Sequence, residues 1–262
     1  MTLTHSMTDE AAELLYAAQE GRAPIDPLSQ RFPGLNVADA YAIQQVSLSR
    51  RLGEGLTVVG HKIGLTSEPM QTLLGVDEPD FGYILDDMVL SNGAAVPAAW
   101  FCSPRVEPEV AFLLREPLRG PGVAVNDVRA ATEAVAVALE IVDSRIADWK
   151  LTLADTVADN ASSGAVVLGD WVPYTDDLDL PHARASLSLN GAEIDSGVGA
   201  AVMGDPAAAV AWLANALAPF GTEIAPGQFV MSGSFTSATF VHPGYDASTT
   251  ISGLGTVSLR FT

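Results

Sequence analysis

The spacing of apolar and polar positions changes several times along the chain, and each change marks an element. Residues 9–20 carry a helical pattern that Thr8 caps, with acidic residues in the first turn and Gly21 at the end. A link containing Pro24, Pro27 and Pro33 leads to Asn36, a second cap. Val37, Tyr41, Gln44 and Leu48 then form one helical stripe that closes at Gly53. The β-branched run Thr57-Val-Val59 enters Gly60-His-Lys-Ile-Gly64, a strand with glycine at both ends. Ser67 caps a short helix that carries Pro69 in its first turn and stops at Gly75.

Further on, Val110-Ala-Phe-Leu-Leu114 is apolar on both faces and predicts a buried strand. Asn126 or Asp127 opens a helix to about Ala134, followed by a second buried strand through Ala138-Leu-Glu-Ile-Val142. Asn190-Gly191 signals a hairpin. Asp205-Pro206 caps and opens an alanine-rich helix reaching about Leu217. From Phe229 the chain is β-rich, divided by glycine and proline. Strands without regular βα alternation predict an α+β fold with a rolled mixed sheet.

Charge narrows the partners. Thirteen Lys and Arg against 32 Asp and Glu give a net charge of −19. Such a surface repels nucleic acid and anionic lipid, so neither is an expected partner. An anionic substrate would need a local cation. Cys102 is the only cysteine, which excludes an internal disulfide and a thiolate-rich metal site; beside Trp100 and Phe101 it reads as a packed thiol. The N-terminus lacks the basic start and apolar core of a signal peptide, and no apolar run approaches the roughly 20 residues of a membrane span. The expectation is a cytoplasmic protein.

The chemistry concentrates in three carboxylates. Glu107 and Glu109 stand two apart in an apolar strand and so share a face. Glu140 is the one polar residue in Ala134-Val-Ala-Val-Ala-Leu-Glu-Ile-Val142. Buried carboxylates need a compensating cation. With no His or Cys nearby, an oxygen-only site for Mg²⁺ or Mn²⁺ is favoured, although Glu140 alone has Arg145 or Lys62 as alternative partners. Pro108 points to an edge or irregular strand. Lys62, between two glycines, is either a solvated edge lysine or a placed cation; Asp80 is either a turn residue or a functional one. Asn160-Ala-Ser-Ser-Gly164 is either a turn or a loop offering amides to an anion. His5, His182 and His242 read as surface residues, and His61 points away from Lys62. Nucleophile-elbow, P-loop and dinucleotide signatures are missing.

Five motifs occur in order: Gly60-His-Lys-Ile-Gly-Leu-Thr66, Gly75-Val-Asp-Glu-Pro-Asp-Phe-Gly82, Pro104-Arg-Val-Glu-Pro-Glu109, Leu139-Glu-Ile-Val-Asp-Ser-Arg145 and Ala158-Asp-Asn-Ala-Ser-Ser163. They resemble the 2-hydroxypenta-2,4-dienoate (2-keto-4-pentenoate) hydratases and 4-oxalocrotonate decarboxylases of the fumarylacetoacetate hydrolase superfamily. The resemblance implies a barrel-like mixed β-roll, with residues 1–56 as a helical portion and 57–262 as the catalytic domain. It implies a divalent cation on Glu107, Glu109 and Glu140, catalytic Lys62 and Asp80, and Leu65, Ser162 and Ser163 against the substrate. That substrate is a small 2-oxo or 2-hydroxydienoic acid from meta-cleavage degradation of aromatic compounds or steroids. Homo-oligomers, and association with a neighbouring pathway enzyme in some members, are also implied. Pro79-Asp-Phe-Gly82 resembles the hydratase form, with the decarboxylase as the alternative.

Overall fold

Three helices lead the chain in the computed structural model, which describes residues 2–67, 71–72, 75–175 and 177–262. They are α1 (His5–Gly21), α2 (Leu28–Arg31) and α3 (Val37–Gly53). Helix α1 starts a turn earlier than expected. Thr4 is the cap, accepting from Met7 N, while Thr8 sits in the first turn with its hydroxyl bonded to the Thr4 carbonyl. Asn36 caps α3 as expected, accepting from Asp39 N. Helix α3 docks on the rest of the molecule through Tyr41, stacked on Phe81 at 4.4 Å, and buried Gln44. The Gln44 amide donates to the carbonyls of Phe81 and Val157, both at 3.0 Å. The short helix expected between Ser67 and Gly75, with Pro69, lies largely outside the described residues.

Two sheets follow. The strands are β1 (Val58–Gly64), β2 (Asp80–Leu85), β3 (Val89–Leu90), β4 (Ala94–Val96), β5 (Arg105–Leu114), β6 (Thr132–Val142) and β7 (Ser163–Leu168). The remainder are β8 (Val172–Pro173), β9 (Arg184–Leu189), β10 (Ala192–Val198), β11 (Phe229–Met231), β12 (Thr239–Phe240), β13 (Asp246–Ile251) and β14 (Gly255–Phe261). The larger sheet runs β2-β1-β11-β5-β6-β7-β3, with β12 beside β5 and β8 beside β6. The smaller runs β10-β9-β13-β14-β4 and packs over β5 and β6. Both mix parallel and antiparallel pairs.

Side-chain alternation then sorts the two faces of β5 and β6. Val106, Val110, Phe112, Val137, Leu139 and Ile141 join the main core. Ala111 and Ala138 face the other way, with Ile84, Phe229 and Met231. Glu107, Glu109 and Glu140 share that second face by their spacing.

Three expectations need correction. The helix before β6 is Val125–Ala131, opened by Asp127 accepting from Ala124 N, and it ends at Thr132 because the chain there becomes strand. Strand β5 is flanked on both sides, so of the two readings of Pro108 the edge is corrected and the irregular strand fits. The proline lies where β11 has left and β12 has not begun, and its carbonyl accepts from Phe235 N. Finally, Gly199–Phe220 is long and apolar enough, at 22 residues, to cross a membrane by length and composition. Half of it is buried in the fold, where helix Pro206–Leu217 packs Ala207, Ala209, Val210, Leu213 and Ala214 inward. The Asn190-Gly191 turn joins β9 to β10 as expected, both residues at positive φ.

Candidate metal centre and active site

The register of β5 on β6 sets Glu107 directly opposite Glu140, and Glu109 opposite Ala138. One ligand oxygen from each of Glu107, Glu109 and Glu140 lies within 4.8 Å of the others. Glu109 and Glu140 are fully buried. Glu109 is oriented by Gly233 N, which donates to its Oε2 at 2.8 Å. Gly233 has φ +111°, and a Cβ there would fall 2.3 Å from Thr66 Oγ1, so the position requires glycine.

Lys62 is no solvated edge residue. It projects from β1, which is enclosed by β2 and β11, and its Nζ lies 3.3 Å from Glu140 Oε1. The same ammonium donates to the Ala161 carbonyl at 2.9 Å. Apart from that ion pair, neither Glu140 oxygen has a hydrogen-bond partner among the described residues. Arg145, the other candidate partner, is instead tied to Asp159.

Burial pushes Glu107 up to about 7, reinforced by the charge of Glu140. Burial, then Glu140 and Glu107, hold Glu109 well above the usual carboxylate range. Glu140 is also raised by burial, with Lys62 opposing. Burial works against the charge on Lys62, but Glu140, Asp80, Glu107 and Glu109 outweigh it and hold its pKa above the ordinary lysine value. Three carboxylates facing one ammonium, with two oxygens unsatisfied, fit a hard dication with oxygen ligands.

Asp80 opens β2 opposite Gly64. A Cβ on Gly64 would lie 2.2 Å from Asp80 Oδ1 and 3.4 Å from Lys62 Nζ, so this glycine leaves space for the carboxylate beside the lysine. Asp80 Oδ2 accepts from Thr156 Oγ1 at 3.2 Å, and Thr156 meets Ser162 Oγ at 3.3 Å. Oδ1 is buried without a partner among the described residues. Burial raises the Asp80 pKa, with Lys62 opposing.

A cavity of about 860 Å³ opens onto Lys62, Asp80, Glu107, Thr156 and Ser162. Leu65 lines it too, at φ 57°. Ser163 does not. It begins β7, its carbonyl takes a hydrogen bond from Arg145, and it borders a separate cavity of about 320 Å³ behind the Asn160–Ser162 turn. Sequence reading passed over Thr156, Gly233 and Arg105. Only Arg105 carried a signal, sharing by alternation the face of Glu107 and Glu109.

Residues 54–262 match the family model described as fumarylacetoacetate (FAA) hydrolase C-terminal. This chain belongs to that family. It is similar to a 2-hydroxyhexa-2,4-dienoate hydratase of Comamonas testosteroni, 46% identical over 250 residues and 95% of each chain. It is also similar to a 4-oxalocrotonate decarboxylase of Pseudomonas sp. (strain CF600), 37% identical over 99% of this chain and 98% of the other. Among solved structures, the 4-oxalocrotonate decarboxylase of Pseudomonas putida G7, complexed with magnesium and adipate, superposes with a TM-score of 0.97. That pair is 35% identical, over 100% of this chain and 99% of the other.

Proposed function

We propose that this protein is a metal-dependent hydro-lyase. It adds water to 2-hydroxypenta-2,4-dienoate, or to a substituted homologue, and yields a 4-hydroxy-2-oxo acid. Glu107, Glu109 and Glu140 would hold Mg²⁺ or Mn²⁺, which supplies a Lewis acid and a chelating point for the carboxylate and keto oxygens of a 2-oxo acid. Lys62 offers a fixed positive charge to the substrate oxygen that gains electron density as the dienol becomes its keto isomer. Protonation at the far carbon leaves an α,β-unsaturated ketone. Asp80 accepts a proton from the water whose oxygen bonds to C4, and the C3–C4 π pair moves towards the C2 oxygen. A proton then added at C3 gives the 4-hydroxy-2-oxo acid; Thr156 orients the Asp80 carboxylate. Leu65 and Ser162 border the substrate.

The observation that carries the reading is Asp80 in the same cavity as Lys62 and Glu107, with Oδ1 lacking a partner among the described residues. The identity to the dienoate hydratase also supports it. A second reading, 4-oxalocrotonate decarboxylase, is favoured by the close superposition on the magnesium and adipate complex.

Product analysis with the dienol and with 4-oxalocrotonate, side by side, separates the two. The expected result is hydration, little CO₂, and at least a roughly 100-fold loss of kcat in Asp80→Asn. The reverse activity ratio would put the decarboxylase first. The reading further places a homo-oligomer in the cytoplasm, serving meta-cleavage degradation of aromatic compounds or steroids beside a neighbouring pathway enzyme. It keeps residues 1–56 as a helical portion and 57–262 as the catalytic β-roll, supported by α3 ending at Gly53 and the family match beginning at residue 54.

A further inference from the structure

Arg105 has a setting that the chemistry above leaves unused. Among the described residues lining the cavity, Lys62 and Arg105 are the only lysine or arginine, set against Asp80, Glu107 and Asp195. Lys62 is engaged by Glu140 and the Ala161 carbonyl. The Arg105 guanidinium makes no hydrogen bond or ion pair with any described residue, and its Nε is shielded from water without a partner among them.

What it has instead is two rings. Its guanidinium carbon lies 4.2 Å from the centre of the Trp149 ring and 4.1 Å from that of Phe240. Phe240 reaches it by register, as the residue directly opposite on β12. Trp149 is fixed by its indole N–H, which donates to the Ser103 carbonyl at 3.2 Å and to Ser103 Oγ at 3.1 Å. Rings cover the faces of the guanidinium and leave its edge N–H groups uncommitted. That edge is the part of an arginine that matches a planar carboxylate. Leaving such donors half-buried and unpaired is costly unless a ligand completes them.

Position says which carboxylate. Arg105, Glu107 and Glu109 alternate along one face of β5, so the next charged group inward from Arg105 is Glu107. Asp80 lines the same cavity from β2, among Gly64, Thr156 and Lys62, and not from the β5 face that carries Arg105. We propose that Arg105 receives the carboxylate at the 2-oxo end of the substrate, so that the hydrocarbon tail is directed towards Asp80. This rests on the reading that the glutamates hold a divalent cation for a 2-oxo acid.

The test compares wild type, Arg105→Met and Arg105→Lys, loaded with Mg²⁺, by calorimetric binding of pyruvate and of adipate and by steady-state hydration of the dienoate. In Arg105→Met, pyruvate affinity is expected to fall about 10- to 100-fold, with KM for the dienoate rising in parallel and kcat within about threefold. The variant should stay folded, Mg²⁺ affinity should not fall, and adipate should lose no more than pyruvate. The Lys variant, with charge but no planar fork, should lose about 10-fold; it carries the test if the Met variant fails to fold. Unchanged pyruvate affinity would overturn the assignment, and so would a loss confined to adipate, which would put Arg105 at the far end. A parallel fall in Mg²⁺ affinity would overturn it too, making Arg105 a support for Glu107. Pyruvate binding reads Arg105 even if wild type fails to hydrate the dienoate, so the two readings fail separately.

Discussion

Metal binding at Glu107, Glu109 and Glu140 is expected to expel protons, and the structure sets roughly how many. With ligand oxygens within 4.8 Å, each ionised pair repels by about 3.5 kcal/mol at an effective dielectric near 20, or about 10 kcal/mol for three pairs. Lys62, 3.3 Å from Glu140 Oε1, returns about 5 kcal/mol. Protonating Glu107 or Glu109 removes two of the three repelling pairs, about 7 kcal/mol, and leaves the Glu140–Lys62 attraction in place. That relief exceeds the roughly 3.7 kcal/mol needed to keep a carboxylic acid of ordinary pKa protonated at pH 7. The metal-free triad therefore keeps at least one proton at neutral pH, the direction in which Glu107, Glu109 and Glu140 are all displaced. A dication needs them ionised, so binding near pH 7 should release about one to two protons. Because the pKa values are raised, protons compete more as pH falls, and apparent affinity should drop as pH passes down through about 7, where Glu107 titrates. Calorimetric titration of Mg²⁺ in buffers of different ionisation enthalpy measures the count, and Glu109→Gln should release fewer protons and bind more weakly. No proton release between about pH 6 and 8 would refute the reasoning, since the carboxylates would then already be ionised.

Two further outcomes are expected. Gly64→Ala puts a Cβ 2.2 Å from Asp80 Oδ1, so it should cost about 1–3 kcal/mol in urea unfolding and displace Asp80, lowering kcat without altering Mg²⁺ affinity; wild-type turnover would show that the Asp80 position does not matter. Burial pushes His61 down to about 4, while its unfolded value is near 6.5, so the unfolded chain takes up a proton that the native state refuses. Stability should fall on acidification by up to about 1.4 kcal/mol per pH unit across that window, about 3 kcal/mol in all, and His61→Gln should flatten the slope; equal slopes in urea unfolding at several pH values would count against it.

What could be read from the sequence was local. Period two put Glu107 and Glu109 on one face, and a single polar residue in an apolar run marked Glu140. Their meeting depends on the β5–β6 register, which joins residues about 33 apart and has no local signature. Lys62 stayed ambiguous because burial on β1 comes from β11, contributed by the far end of the chain. Thr8 and Thr4 offer the same capping chemistry, and propensity alone does not choose between them. Ser162 and Ser163 looked equivalent, yet only Ser162 reaches the cavity, because the turn ends and the strand begins between them.

That turn shows how the site pays for its geometry. Asn160, Ala161 and Ser162 all have positive φ, at 54°, 51° and 53°. Left-handed backbone costs a non-glycine residue about 1–2 kcal/mol, so local preference opposes all three. Tertiary contacts hold them. The Asn160 side chain accepts from Tyr83 N at 2.9 Å and donates to its carbonyl at 3.0 Å. Gly82 admits the turn because a Cβ there would lie 2.5 Å from the Asn160 carbonyl oxygen. Buried Arg145 pairs with Asp159 just before the turn and bonds the Ser163 carbonyl just after it. The conformation aims the Ala161 carbonyl at Lys62 Nζ and sets Ser162 against Thr156, and so against Asp80. With the Ala161 carbonyl taking one of the three N–H donors of Lys62 and Glu140 Oε1 held as an ion pair, a donor is left for the cavity that Lys62 lines. In the proposed reaction that donor meets the substrate oxygen without reorganising, the condition under which a buried charge contributes most to catalysis.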